Sequence, residues 1–555
     1  MLLFALVSLV LAIPSVLSQN VIATVENGQL SGRTEYTARG KQYYAFNNIP
    51  FAKPPVGNLR FQAPQPAANW DGILDVSSPT DVLCYQYGTT TSVQTEDCLV
   101  LHVYSPVEPG SDAALPVMFY IFGGGFITGT SAFYSLGPHY FIEQDVLVVA
   151  VNYRIGAYGF LATGDTVIPG NWGLKDQQLG LKWVQDNIKN FGGDPAKVTI
   201  FGESAGGASV VYQTLSPGSS GLFRAAIATS GSALCPWAYQ RHYKDAAYAL
   251  ATNIDPSFST SASSAELLSF LQSASADDIN THSWNYLPSS TYDQLVQGFV
   301  YAPTIEPEHD GAFLTQTMYS AIENGVANPV PLMIGMASEE QITRAENLTQ
   351  FTNTITWYEN NPELFANENM HITDTAALKA AGQAVHNIYT TGSMVNYPAG
   401  MVKFFSDTSF GRPIIHHAKL QSAYADVYFY QFSYHGTLGQ QNIYVEGADR
   451  VRHSEDMSYF WAWGNSSNMD ANEPSDVLTS KRWVALLTNF AKELNPTPTG
   501  DNLLEGLTWP KVSPSNFQYL NINNTLDILT NPKDVFYSSW VNVYETLAIK
   551  PYDTF

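Results

Sequence analysis

A chain of 555 residues, 45% hydrophobic and 13% aromatic, holds ample apolar material for a large core, which excludes an intrinsically disordered protein. Its 49 acidic side chains outnumber 26 lysines and arginines. The formal net charge of −23 argues against nucleic acid or an anionic membrane surface as partner.

The chain opens with MLLFALVSLVLAIPSVLS, apolar as far as Leu17 and polar from Ser18, which reads as a secretory signal peptide over residues 1–18. Pro14 interrupts the run and no basic residue flanks it, so a membrane anchor is the weaker reading. No later apolar run approaches the ~20 residues of a membrane span. The C-terminal stretch ETLAIKPYDTF has neither a lipid-anchor tail nor a retention signal. The expected destination is therefore secreted and extracellular, without stable membrane insertion. Cys84 and Cys98 enclose a short loop, YQYGTTTSVQTED, and a bridge closing it would stabilise the fold by about 3 kcal/mol in the chain-entropy model. Cys235 is then left over as a buried free thiol, and Asn347, Asn465 and Asn523 stand in glycosylation sequons.

Further along, PVMFYIFGGGF and VLVVAVNYRIGAYGFL are apolar and rich in strand formers, whereas LKDQQLGLKWVQDNI has helical spacing. This alternation predicts an α/β protein with a mostly parallel sheet covered by helices. KVTIF predicts another strand, and AGGASVVYQTL a helix. Between them GESAG sets Ser204 at a strand-turn-helix junction, the arrangement of a nucleophile elbow. Beyond residue 255, SAELLSFLQSA, AALKAAGQAVHNIY and KRWVALLTNFAKEL read as helices and ADVYFYQFSY as a late strand. No internal repeat is found.

An acylating serine needs backbone N–H groups aimed at the developing oxyanion, a base and an acid. Gly123, Gly124 and Gly125 follow a predicted strand and let backbone approach a substrate; Ala205 follows the nucleophile. Among eleven histidines, His416, His417 and His435 sit in helix- or strand-like contexts. His453 lies on a polar loop and is the best-placed base. The chain order serine, acid, histidine requires an acid between the two, and Glu339 and Glu340 follow a short apolar strand. Spacing does not choose between them.

Four blocks carry a resemblance: NIPFAKPPVGNLRF, EDCLVLHVYSP, GNWGLKDQQLGLKWVQDNIKNFGGDP and VTIFGESAGGASV. Together the chain resembles the type-B carboxylesterase family, which includes cholinesterases and fungal lipases, over essentially residues 20–550. The resemblance implies an α/β-hydrolase fold, with residues 19–555 as one domain, and hydrolysis of small-molecule esters without metal or cofactor. Its motifs imply Glu340 as acid (with Glu339 at the family's Asp position), His453 as base followed by Asp456, and Gly124, Gly125 and Ala205 as oxyanion hole. They further imply a Cys84–Cys98 disulfide and buried ion pairs Arg60–Glu96 and Arg154–Asp176. Glu203 falls on a glutamate supporting the histidine, and Trp237 on an aromatic of the acyl pocket. Gln341 and Ser454 stand where glycine is usual in the family. Arg450 and Arg452 flank His453, and charges approaching its ring would lower its pKa. Two other functions compete: an inactive adhesion protein on the same fold, and a cholinesterase. The intact serine, acid and histidine speak against the first. The cysteine loop has Tyr85 and Tyr87 but no tryptophan to stack on choline, which speaks against the second.

Overall fold

Uninterrupted apolar runs such as LVVAV, AAIAT and LMIGMA have no polar face to offer water, so each must be covered on both sides of a sheet. The computed structural model, which describes residues 20–88, 93–132, 137–286, 293–439 and 441–555, buries every residue of all three. The expected signal peptide, residues 1–18, lies outside the described residues.

These runs belong to a 13-stranded sheet. Its strands are β1 (Asn20–Val25), β2 (Gly28–Tyr36), β3 (Gln42–Pro50), β4 (Ile73–Asp75), β5 (Val100–Ser105), β6 (Leu115–Ile121) and β7 (Leu147–Val151). They continue as β8 (Gly193–Glu203), β9 (Ala225–Thr229), β10 (Leu332–Ala337), β11 (Val427–Phe432), β12 (Gln518–Ile522) and β13 (Leu526–Thr530). The spatial order is β1-β2-β3-β5-β7-β6-β8-β9-β10-β11-β12-β13, with β4 beside β2. From β7 to β12 every neighbour is parallel, and the margins are antiparallel except β4, which runs parallel to β2. The marginal strands show half-exposed patterns: β1 alternates and β13 is largely open to solvent.

Helices flank the sheet as the periodicity predicts. Helix α1 spans Trp172–Asn187, α2 Ala205–Leu215 and α3 Pro474–Glu493. SAELLSFLQSA becomes a helix over Ser264–Ser273 with a capping box, AALKAAGQAVHNIY a helix over Thr375–Tyr389 and β11 the late strand, whereas VLVVAVNYRIGAYGFL is a strand only over Leu147–Val151 and turns helical over Gly156–Phe160. No helix among the described residues is long and apolar enough to cross a membrane.

Cys84 and Cys98 are disulfide-bonded with Cα atoms 5.1 Å apart, and Cys235 is buried and free. Burial pushes the Cys235 thiol far up, which leaves it without thiolate to act as a nucleophile. Arg154 binds Asp176 through two nitrogens at 2.7 and 2.8 Å, and Arg60 grips Glu96 in the same forked way at 2.6 and 2.7 Å. Removing one partner of so deeply buried a pair as Arg154–Asp176 would cost about 3–5 kcal/mol.

Candidate active site

Strand β8 ends at Glu203 and α2 begins at Ala205, so the whole reversal falls on Ser204, with φ 59° and ψ −123°. A serine tolerates this conformation only under strain. The turn closes because its flanks are bare: a Cβ on Gly206 would collide with the carbonyl of Ile121 on β6. The hydroxyl is thereby lifted to the C-terminal end of the parallel strands.

The loops carrying Glu340 and His453 are stitched to each other. His453 N–H donates to the Glu340 carbonyl at 2.9 Å, and Glu339 N–H to the Val451 carbonyl at 3.0 Å. This ladder sets His453 between the serine and one glutamate. Its Nε2 lies 2.8 Å from Ser204 Oγ and its Nδ1 2.7 Å from Glu340 Oε2. The other oxygen of Glu340 accepts from Ser230 Oγ at 2.7 Å and from the Ala337 N–H at 2.8 Å, which fixes the carboxylate beside the ring. Glu339 turns away. It accepts from the Asp449 N–H, and burial, partly offset by the Lys533 ammonium, pushes its carboxyl up to about 7.

Gly124 and Gly125 follow β6 with φ 98° and 64°, and a Cβ on Gly124 would strike the carbonyl of Thr128. Gly123 packs directly against Glu203 and Ser204, so this glycine loop lines the same space as the hydroxyl. Phe299 lies against Gly125, and Trp237 packs on Phe126, Phe299 and Phe410, with its Nε1–H donating to the Ser409 carbonyl at 2.8 Å. Phe410 in turn covers His453, with ring centroids 4.5 Å apart. An apolar wall thus runs from the glycine loop to His453. Beside that loop, a cavity of about 240 Å³ is lined by Ile127, Tyr87, Trp284, Tyr286 and Tyr301. Tyr87 of the cysteine loop meets Trp284 edge to face.

Burial alone would depress His453, but Glu203, Glu340 and Asp456 outweigh it and push the ring up to about 9. This reverses the lowering expected from its arginine neighbours. The Arg452 guanidinium points to the carbonyls of Gly439 and His453, and Arg450 lines a separate polar cavity of about 600 Å³ with His435 and Thr437. The larger cavity contains none of Ser204, Glu340 and His453. The other histidines stay clear of Ser204: His417 bonds Ser232 and Gln421, and His416 stacks on Phe555. Of the two residues in place of glycine, Gln341 has an ordinary φ of −110° and binds Arg344, whereas Ser454 sits at φ 65° and donates to Glu203 at 2.6 Å. Of the sequon asparagines, Asn347 is exposed and Asn523 partly so; the side chain of Asn465 lies outside the described residues.

Sequence reading missed Ser230, Phe299, Phe410 and Trp284. Only the aromatic residue type hinted at three of them, because nothing in local spacing ties them to Ser204.

The carboxylesterase family matches the chain over residues 19–540. The chain belongs to the carboxylesterase family. As a carboxylesterase it is an enzyme that hydrolyses carboxylic esters, and the rival reading as an inactive adhesion protein falls away. It is 31% identical to venom carboxylesterase-6 of Apis mellifera, with 90% of each chain covered. It is 32% identical to juvenile hormone esterase of Tribolium castaneum, covering 85% of this carboxylesterase and 83% of that protein. The crystal structure of juvenile hormone esterase from Manduca sexta, with OTFP covalently attached, superposes with a TM-score of 0.82 at 26% identity, over 95% of this chain and 100% of that one. These relatives are insect carboxylesterases and juvenile hormone esterases rather than cholinesterases.

Proposed function

We propose that this carboxylesterase works through a Ser204–His453–Glu340 triad and an acyl-enzyme. The observation that carries the reading is the continuous chain of hydrogen bonds from Ser204 Oγ through both ring nitrogens of His453 to Glu340, at 2.8 and 2.7 Å. His453 Nε2 takes the hydroxyl proton as Ser204 Oγ bonds to the ester carbonyl carbon. The negative charge gathers on the carbonyl oxygen, facing the N–H groups of Gly124, Gly125 and Ala205. The proton then passes to the departing alcohol, and water repeats the sequence on the acyl-enzyme. Glu340 holds the ring and stabilises its charge. The wall of Trp237, Phe299 and Phe410 favours an apolar acyl group of limited size.

Residues 19–555 form one domain in this reading, supported by a sheet that runs from β1 at Asn20–Val25 to β13 at Leu526–Thr530. Secretion and glycosylation at Asn347, Asn465 and Asn523 belong to the same proposal. The Cys84–Cys98 disulfide supports an oxidising compartment.

Two measurements bear on the site. Only neutral imidazole accepts the Ser204 proton, and its surrounding carboxylates favour the charged form. The acid limb of kcat/KM is therefore expected above the ordinary histidine value of about 6.5, with activity still rising beyond neutrality. A limb at or below 6.5 on a soluble p-nitrophenyl ester would contradict this electrostatic picture. The cysteine loop is tied at a Cα separation of 5.1 Å and has no room for a long amphipathic flap. Simple saturation on short- and medium-chain esters is expected, and a sharp rise in rate as a triglyceride passes its solubility limit would overturn that expectation.

A further inference from the structure

The residue after the base is strained without an evident packing reason. Ser454 adopts φ 65° and ψ 9°, a left-handed conformation that glycine takes freely and serine does not. Its hydroxyl donates to Glu203 Oε1 at 2.6 Å. That same oxygen lies 3.3 Å from His453 Nε2, which is itself 2.8 Å from Ser204 Oγ. Two acceptors therefore flank one ring nitrogen, and only Ser204 takes part in the reaction. Glu203 is buried at 4% exposure, so water is a poor alternative partner for its charge.

We infer that Ser454 is a positioning residue whose hydroxyl satisfies Glu203 and keeps His453 Nε2 free to exchange its proton with Ser204 and the leaving alcohol. The inference rests on the triad reading and deepens it. During acylation the Ser204 proton moves to Nε2 as the Oγ–carbon bond forms, and it leaves on the alcohol oxygen as the ester C–O bond breaks. A proton drawn from Nε2 onto or toward Glu203 is withheld from that oxygen. A donor on Glu203 that is not the imidazole relieves this competition, at the cost of the backbone strain a glycine would avoid.

The groups facing His453 come from several elements. Glu203 ends β8, Glu340 follows β10 and Asp456 lies three residues beyond the base; Arg452 favours the Glu203 carboxylate, while burial and then these carboxylates raise the hydroxyls of Tyr120 on β6 and Tyr430 on β11 and the Cys235 thiol. None of the others donates a hydrogen bond to Glu203 Oε1 among the described residues. Removing the Ser454 hydroxyl withdraws stabilisation from the Glu203 carboxylate. The Glu203–His453 pair then holds its first proton more tightly, whichever group carries it.

The test compares kcat/KM against pH for p-nitrophenyl butyrate hydrolysis by the full-length enzyme and four variants: Ser454→Ala, Ser454→Gly, Glu203→Gln and the double variant E203Q/S454A. Losing one hydrogen bond to a charged group should move the acid limb up by roughly 0.5–1 pH unit in both Ser454 variants and lower kcat about five-fold. Both variants lose the hydrogen bond to Glu203, but S454G alone relieves the left-handed strain, so S454G should melt above S454A, and a limb shift common to both would not reflect poor folding. In the Glu203→Gln background, Ser454→Ala should leave the limb where it is. Unmoved limbs in S454A, a shift confined to S454G, or an equal shift without Glu203 would each overturn the inference. Ser204→Ala separates it from its foundation: turnover surviving in S204A defeats the triad itself, whereas lost turnover there beside unmoved Ser454 limbs defeats only the role of Ser454.

Discussion

Ser204→Ala is expected to fold normally and to lose about four to six orders of magnitude in kcat. The hydroxyl is the only atom the substitution removes from the elbow. Alanine keeps the Cβ that already sits at φ 59°, and the Ser204 N–H bond to the Thr229 carbonyl at 2.9 Å survives because it belongs to the backbone. With the nucleophile gone, no covalent route remains, and the residual rate reflects binding and the N–H groups that face the carbonyl oxygen. An organophosphate should label the wild type on the peptide containing Ser204. Persistent labelling of S204A, or turnover within ten-fold of wild type, would show that another residue is the nucleophile.

The second large effect discriminates two neighbouring acids. Glu340→Gln should lower kcat by roughly three to four orders of magnitude, because an amide neither stabilises the imidazolium nor reliably holds the ring tautomer that presents Nε2 to Ser204. Glu339→Gln should cost about ten-fold or less, since its carboxyl faces Asp449 and Lys533, away from the ring. Circular dichroism on both variants would establish that the fold is retained. Equal losses would mean that the acid is shared or that neither glutamate is chemical.

Much of this arrangement is legible in the residues because it is local. The elbow needs β-branched residues before Ser204 and bare ones after it, and the glycines after β6 announce an approachable backbone. Periodicity gives α1, α3 and the buried central strands for the same reason. What escapes is decided at long range. Adjacent glutamates on one loop differ only in which side of the chain each faces, and that follows from the ladder between residues 339–340 and 451–453. Phe410 reaches His453 from a π-helical turn over Asp407–Gly411, whose irregular winding no periodicity betrays. Arg450 and Arg452 would lower His453 only if their charges reached its ring, and the Arg452 guanidinium points instead to the Gly439 and His453 carbonyls; Glu203, Glu340 and Asp456 surround the ring and raise it.

The same remoteness has a consequence for how the enzyme is born. Ser204 and His453 are 249 residues apart in the chain. At a synthesis rate of about 5–20 residues per second, a ribosome needs roughly 12–50 s to travel from Ser204 to His453. Throughout that interval the nascent chain carries a serine with no partner to activate it. The parallel neighbours β10, β11 and β12, which extend that end of the sheet, likewise emerge only after Ser204. On the proposed triad, a chain arrested or clipped before residue 453 has its serine without a base, and it exposes an unpaired edge at β9, β10 or β11 that chaperones must shield from other chains.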